Sequence, residues 1–145
     1  MGHRLTQIFT DRYSDSTPSA GPAVTYPHED VTREIIAAAY EVHKVLGGGF
    51  LERVYESALV LEISKRGVNV RAQAPISVHY KGNVVGEYFA DLLVNEVVIC
   101  EIKAGEGLAT AHQAQLLNYL KATGVKVGLL LNFGSSRVQF KRMVF

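Results

Sequence analysis

The chain has 145 residues, 48% of them hydrophobic, which suffices for one compact domain with a sizeable core and is too little for two. Its 15 basic and 14 acidic residues give a formal net charge of +1, which excludes a strongly basic coat and leaves only a local patch for any nucleic-acid contact. The single cysteine excludes an internal disulfide. The sequence shows neither a signal-peptide core nor a run of the ~18 apolar residues that cross a bilayer. We therefore expect a cytoplasmic protein with no membrane contact.

Residues 1–30 differ in composition from the rest of the chain. The segment Ser14–Pro22 is small, polar and interrupted by proline and glycine, with no periodic apolar residues to bury. The sequence therefore predicts a flexible N-terminal arm over residues 1–30 and a folded domain over residues 31–145.

The folded domain is predicted to begin with two helices. Apolar residues recur at steps of three and four from Val31 to Leu46, with Asp30 as a candidate N-cap and the glycines at 47–49 as the end. A second helical pattern runs from about Leu51 to Arg66 and stops at Gly67.

The remainder of the chain is predicted to be mainly β-strand. The predicted strands are Val68–Ala74, Ile76–Tyr80, Val84–Val94, Val97–Lys103, Val127–Phe133 and Arg137–Val144. Lys81–Asn83 is a predicted hairpin turn, and a helix is predicted from about Ala109 to Ala122. Because this helix precedes it, the strand that begins at Val127 is expected to run parallel to a neighbour. The order predicts an α/β fold in which helices flank a mixed β-sheet.

Three charged residues lie in predicted strands that are otherwise apolar. Asp91 lies within Tyr88–Val94, and Glu101 and Lys103 close the strand Val97–Lys103. Burying an ionised side chain is unfavourable by several kcal/mol unless the charge is paired or binds a cation. The placement of these residues therefore indicates a functional site.

The chemistry of the three residues fits phosphodiester hydrolysis. Asp91 and Glu101 offer the oxygen ligands that Mg²⁺ or Mn²⁺ requires, and the main-chain carbonyl of Ile102 is a candidate further ligand. Lys103 shares a strand face with Glu101 and is a candidate to orient the attacking water or to stabilise the phosphate. On spacing alone, an ion pair at a strand end explains the same residues equally well.

A shared metal ion sets a condition on the connection between the two strands. A two-residue turn at Asn95 and Glu96 would pair Asp91 with Cys100 and place the two carboxylates on opposite faces of the sheet. We therefore predict a connection with an odd number of residues, with Asn95 or Glu96 in a left-handed conformation, or a β-bulge, so that Asp91 lies across from Glu101.

Two further motifs lie on the predicted helices that flank these strands. Gly49-Phe-Leu-Glu52-Arg-Val-Tyr55 is upstream, and Gln115-Leu-Leu-Asn-Tyr119 is downstream. Together with Asp91, Glu101 and Lys103, these motifs make the chain from about residue 31 onward resemble the PD-(D/E)XK nuclease superfamily, specifically its small bacterial GxxExxY family. The resemblance implies a restriction-endonuclease-like sandwich related to the RecB-like and lambda-exonuclease-like branch.

The resemblance also implies roles for residues on the helices. Glu52 would point towards the two carboxylates as an additional metal or water ligand, and Gln115 would position Lys103 or a phosphate. Tyr55 and Tyr119 would line the substrate channel. The residues alone leave other roles open: Glu52 also fits a partner of the helix dipole, and both tyrosines fit core packing.

The function that the resemblance implies is a Mg²⁺- or Mn²⁺-dependent nuclease that acts on DNA, with RNA as the second candidate substrate. Two alternatives belong to other classes of protein. One is a nucleic-acid-binding or regulatory module that keeps the fold and lacks turnover. The other is a structural assembly protein, a homo-oligomer whose last strand pairs between subunits.

Overall fold

The computed structural model describes residues 7–9 and 26–145. In that part of the chain three helices and six strands form. The helices are α1 (Glu29–Leu46), α2 (Glu52–Lys65) and α3 (Thr110–Thr123). The strands are β1 (Gln7–Phe9), β2 (Val70–Tyr80), β3 (Asn83–Val94), β4 (Val98–Lys103), β5 (Val127–Asn132) and β6 (Gln139–Val144).

The described strands form one mixed sheet in the order β1-β6-β5-β4-β3-β2. Neighbours are antiparallel except β4 and β5, which are parallel and are joined through α3. A parallel pair needs a long crossover, and α3 provides it. The predicted parallel strand and the predicted α/β fold with a mixed sheet flanked by helices are both confirmed.

Helices cover the two faces of the sheet, each with its own hydrophobic cluster. Residues of α1 and α2 pack on one face against Cys100 and Ile102. Residues of α3 pack on the other face, where Leu116 and Leu120 meet Ile99. Since side chains alternate along a strand, the odd-numbered residues of β4 face α3. Glu101 and Lys103, the charged residues of β4, therefore lie on the α3 face.

Strands β2 and β3 form a long hairpin at one edge of the described sheet. The two strands predicted before the turn are one strand, β2, because Pro75 is accommodated at an edge where its missing N–H is not needed. Tyr80 pairs with Asn83, and Lys81 and Gly82 between them have φ of 48° and 82°, as a type I′ turn requires. The predicted hairpin turn is confirmed.

The beginning of α1 differs from the prediction. The helix starts at Glu29, so Asp30 lies in its first turn, and His28 occupies the N-cap position with a left-handed φ of 55° and no side-chain cap. Two acidic residues in that turn, Glu29 and Asp30, complement the helix dipole instead.

Part of the predicted N-terminal arm is a strand. Gln7 pairs with Val144, so β1 lies against β6 at the opposite edge of the described sheet from the hairpin. Residues 1–6 and 10–25 of the predicted arm lie outside the described residues, and flexibility there stays a prediction. None of the helices in the described ranges is long and apolar enough to cross a membrane.

Candidate metal centre

The connection between β3 and β4 sets the position of the acidic residues. Val94 pairs with Val98, so three residues connect the strands. Asn95 and Glu96 are both left-handed, with φ of 50° and 59°, and the N–H of Val97 donates to the carbonyl of Val94 at 3.0 Å. These two residues form a type I′ turn, and Val97 is the extra residue that shifts the pairing. The predicted odd-numbered connection is confirmed.

This pairing places Asp91 directly across from Glu101. Leu92 lies opposite Cys100, and the next residues along each strand are the two acids. The N–H of Asp91 donates to Oε1 of Glu101 at 3.0 Å, and the N–H of Ile102 donates to Oδ2 of Asp91 at 2.8 Å. Each carboxylate thus commits one oxygen to a main-chain donor, which fixes its direction and leaves its second oxygen to other partners.

The two carboxylates share an environment that disfavours two negative charges. Glu101 is only 5% exposed. Burial, and then the negative charge of Asp91, raise the pKa of Glu101 to about 8, while the N–H of Asp91 and the charge of Lys103 oppose the rise. At neutral pH the pair therefore takes up a proton or another positive charge.

The donor set fits a hard divalent cation that keeps part of its water shell. Among the residues that the structure describes, no group of three or more His, Cys, Asp or Glu could hold a metal ion. Mg²⁺ commonly takes only one or two carboxylates and retains several waters, so Asp91 and Glu101 suffice. The N–H and carbonyl of a strand residue point to the same neighbour, so the Ile102 carbonyl points towards β3 as its N–H does. The role of the Ile102 carbonyl as a metal ligand stays a prediction.

Lys103 ends β4 on the same face as Glu101. It is half-buried, and its charge lowers the pKa of Glu101, so it lies within electrostatic range of the carboxylate pair. The ion pairs found in residues 26–145 do not include Lys103. A direct ion pair at the strand end, the alternative explanation of these residues, is therefore not formed.

Gln115 and Tyr119 lie on α3, which covers the sheet face that carries Glu101. Nε2 of Gln115 donates to the hydroxyl of Tyr119 at 3.0 Å. Burial raises the pKa of Tyr119, and the negative charges of Glu101 and Asp91 raise it further, so the hydroxyl lies in the field of the two acids. The structure thus brings these residues together with the candidate ligands, and Gln115 orients Tyr119. A contact of Gln115 with Lys103 or a phosphate stays a prediction.

The sequence model of the PD-(D/E)XK nuclease superfamily matches residues 29–143, which include every helix, strands β2 to β5 and all of β6 except Val144. The chain belongs to the PD-(D/E)XK nuclease superfamily. No curated protein and no solved structure gives a significant match to the chain. The assignment of Asp91, Glu101 and Lys103 to the acidic and basic positions of the superfamily name stays a prediction, and Ala90 precedes Asp91 where that name has a proline.

Tyr55 has a structural role in this PD-(D/E)XK protein. Its side chain is fully buried on the face of α1 and α2, and its ring stacks on Phe133 with centroids 4.7 Å apart. The hydroxyl donates to the carbonyl of Gly47 at 2.7 Å and accepts the N–H of Phe50 at 3.2 Å. The prediction that Tyr55 lines a substrate channel is wrong, because the side chain is inaccessible and holds the glycine turn before α2.

Glu52 is also not brought to the carboxylate pair. It is the exposed first residue of α2, and its charge is not among the causes that shift the pKa of Glu101. Nor does any three-acid group form among the described residues. Its position in the first helical turn agrees with the alternative of a dipole partner. The prediction of Glu52 as a metal ligand is corrected accordingly.

One residue of this region, Asn132 at the end of β5, had no predicted role. Its fully buried amide accepts the N–H groups of Gly105 and Gly134, each at 3.1 Å, and donates to the carbonyl of Gly105 at 3.0 Å and to Gln139 at 3.1 Å. Two of these four hydrogen bonds hold Gly105, in the loop that follows Lys103, and the other two hold the turn after β5 and the first residue of β6. The sequence does contain a signal for this role. Asn132 is the only polar side chain in the apolar run Val127–Phe133, just as Glu101 and Lys103 are the charged residues near the end of the apolar run before them.

Proposed function

We propose that this PD-(D/E)XK protein is a Mg²⁺- or Mn²⁺-dependent nuclease that hydrolyses phosphodiester bonds in DNA. The observation that supports it most is the pairing of Asp91 with Glu101 across two strands, with Lys103 on the same face as Glu101. Superfamily membership agrees with a nucleic-acid substrate and a divalent metal. We also propose that the protein belongs to the GxxExxY branch of the superfamily and is located in the cytoplasm.

Each residue of the centre has a part in this proposal. Asp91 and Glu101, with the carbonyl of Ile102, would hold the metal ion, which when bound supplies an acidic water and neutralises charge on the phosphate. Lys103 presents a compact ammonium to a phosphate oxygen or to the attacking water. Tyr119, which accepts a hydrogen bond from Gln115 and is 7% exposed, would border the path of the nucleic-acid strand on the α3 face.

A nucleic-acid-binding module without turnover is the second candidate. Such a module has no need of a buried glutamate held against a second carboxylate, and the raised pKa of Glu101 indicates that the arrangement is electrostatically unfavourable without a cation. The presence of this pair therefore favours a metal-dependent catalyst over a module that only binds nucleic acid.

The third candidate, an assembly protein with its last strand shared between subunits, finds less support. Strand β6 lies between β5 and β1, and β1 already pairs with Arg142–Val144. Pairing with a second copy along that part of β6 would have to displace β1. Size-exclusion chromatography tests this alternative directly.

Cleavage assays on the purified protein test the proposed function. Supercoiled plasmid, labelled single-stranded DNA, labelled duplex DNA and labelled RNA would be incubated with Mg²⁺, Mn²⁺ or EDTA. We expect divalent-dependent cleavage by the wild type, and none by Asp91→Asn or Glu101→Gln. The matched control is Glu87→Gln, an exposed acid on the same strand as Asp91. Cleavage that persists in both site variants would contradict the proposal.

A further inference from the structure

A cleft of about 920 Å³ lies between α3 and the far part of the β2–β3 hairpin. It opens on the α3 face of the sheet, the face that carries Glu101 and Lys103. Tyr119 forms part of its wall and also lies in the field of the two acids, so the cleft adjoins the candidate metal centre.

One wall of this cleft is an aromatic surface. The ring of Tyr88 lies against that of Tyr119, with centroids 5.8 Å apart and planes inclined by 45°. Tyr119 is 7% exposed and Tyr88 is 47% exposed, so Tyr119 supports the ring that Tyr88 presents to solvent. The rings are already in contact, which leaves no gap between them for a ligand. A flat ligand would therefore stack on the open side of Tyr88.

The rest of the lining combines apolar side chains, from one valine and three alanines, with hydrogen-bonding and positively charged ones. His79, His112 and Asn118 provide ring nitrogens and an amide, and Lys121 provides an ammonium. None of the residues that line the cleft is acidic. An aromatic platform with hydrogen-bonding groups and a cation complements a ligand that is flat, polar at its edge and anionic. A nucleotide has these properties.

We propose that the cleft binds an unpaired nucleotide of the strand whose phosphate lies at the carboxylate pair, with the base stacked on Tyr88 and a phosphate near Lys121. Tyr88 precedes Asp91 by three residues, about 10 Å along a strand, and its contact with Tyr119 places its ring on the α3 face, so a nucleotide near the scissile one is within reach. A paired base is stacked on both sides and cannot enter such a cleft, whereas an unpaired base can. The inference rests on the proposed nuclease function and narrows its substrate to single-stranded or frayed nucleic acid.

Fluorescence anisotropy in EDTA, where no divalent ion supports cleavage, tests the cleft separately from catalysis. The probes are a labelled single-stranded DNA 12-mer, its RNA equivalent and the corresponding duplex. We expect the wild type to bind a single strand more tightly than the duplex, and Tyr88→Ala to bind it roughly tenfold more weakly, the loss typical of one stacked base. Tyr88→Phe keeps the ring and should keep the affinity.

Two control variants match these changes. Phe89→Ala removes the neighbouring aromatic side chain, which is 57% exposed and does not line the cleft. Lys121→Gln should weaken binding, whereas Lys65→Gln, an exposed lysine on α2, should not. Thermal melting of each variant establishes that it is folded. If the RNA probe binds more tightly than the single-stranded DNA probe, and Tyr88→Ala weakens that binding, RNA is the source of the unpaired base.

The outcomes separate the two proposals. Equal affinity for single strand and duplex, or equal losses of affinity in Tyr88→Ala and Phe89→Ala, would overturn the proposal that the cleft binds a nucleotide. Neither result would bear on divalent-dependent cleavage. Single-strand binding that depends on Tyr88, without any cleavage in Mg²⁺ or Mn²⁺, would support the cleft and overturn the nuclease proposal.

Discussion

The main-chain N–H of Asp91 donates a 3.0 Å hydrogen bond to the side chain of Glu101, so the backbone of one candidate ligand holds the carboxylate of the other. The carboxylate of Asp91 in turn accepts the N–H of Ile102 at 2.8 Å. The variants Asp91→Asn and Glu101→Gln keep a carbonyl oxygen for each of these donors and remove the charge. They therefore separate the electrostatic role of each acid from its role in the fold.

The stability of the metal-free protein should fall as the pH rises towards 8. The folded-state pKa of Glu101 is raised to about 8, above the value of ~4.3 in an unfolded chain, so the folded state binds a proton that the unfolded state releases. That contribution is fully present below pH ~4.3 and is lost as the pH passes through about 8. Urea unfolding in EDTA from pH 5 to 9 should show this decline in wild type and in Glu87→Gln, and a much flatter profile in Glu101→Gln. Parallel profiles for all three proteins would contradict the raised pKa.

Lys103→Arg should retain metal binding and lose cleavage. The guanidinium is larger and planar, and it cannot occupy the position of a compact ammonium beside a half-buried pair of acids. A loss of at least about a hundredfold in rate corresponds to ~3 kcal/mol of transition-state stabilisation, the range measured for one charge-stabilising donor. Calorimetry and single-turnover cleavage measure the two properties, with Lys65→Arg as the control. Wild-type rates for Lys103→Arg would indicate a structural lysine.

Gly134→Ala should disrupt the loop after Lys103. A Cβ at position 134 would lie 2.6 Å from the main-chain nitrogen of Gly105 and from the carbonyl carbon of Ala104, and backbone atoms cannot rotate away. We expect a loss of roughly 1–3 kcal/mol in unfolding free energy, together with reduced cleavage, because the displaced loop begins beside Lys103. Gly107→Ala is the matched control, since a Cβ there meets nothing within 4 Å. Equal stability of the two variants would show that the loop is free to adjust.

Tyr55→Phe should lower stability without altering the metal centre. The substitution removes the donor to the Gly47 carbonyl and the acceptor of the Phe50 N–H, which together stabilise the fold by roughly 1–3 kcal/mol. Because Tyr55 lies on the face opposite the acids, Mn²⁺ affinity and cleavage should match those of the wild type. A variant that is as stable as wild type but fails to cleave DNA would restore Tyr55 to the substrate channel.

The carboxylate pair was predictable from the sequence because charged residues in apolar strands and the resemblance to a nuclease superfamily pointed to the same side chains. If Asp91 and Glu101 share a ligand, the period of two along a strand also requires an odd-numbered connection between their strands. The structure has that connection, with both Asn95 and Glu96 left-handed. Neither residue is glycine, so composition alone did not identify the turn type.

The roles of the α2 residues were not predictable from local spacing. Glu52 and Tyr55 are three residues apart, which places them near one another on a helix but does not reveal which face of the sheet the helix covers. Tertiary packing puts α2 on the face away from Glu101, so a resemblance of motif did not carry over to the position of these side chains. Asn132 was overlooked because an amide carries no charge, although its burial follows the same rule.

Calorimetric titration of Mn²⁺ into the wild type and into Asp91→Asn tests the central claim most directly. Asp91→Asn keeps an acceptor for the Ile102 N–H and removes one ligand charge, so the fold should persist while divalent binding is lost. Glu87→Asn, on the same strand and exposed, should bind Mn²⁺ as the wild type does. The account predicts one Mn²⁺ site that disappears only in Asp91→Asn; equal Mn²⁺ affinity in all three proteins would contradict it.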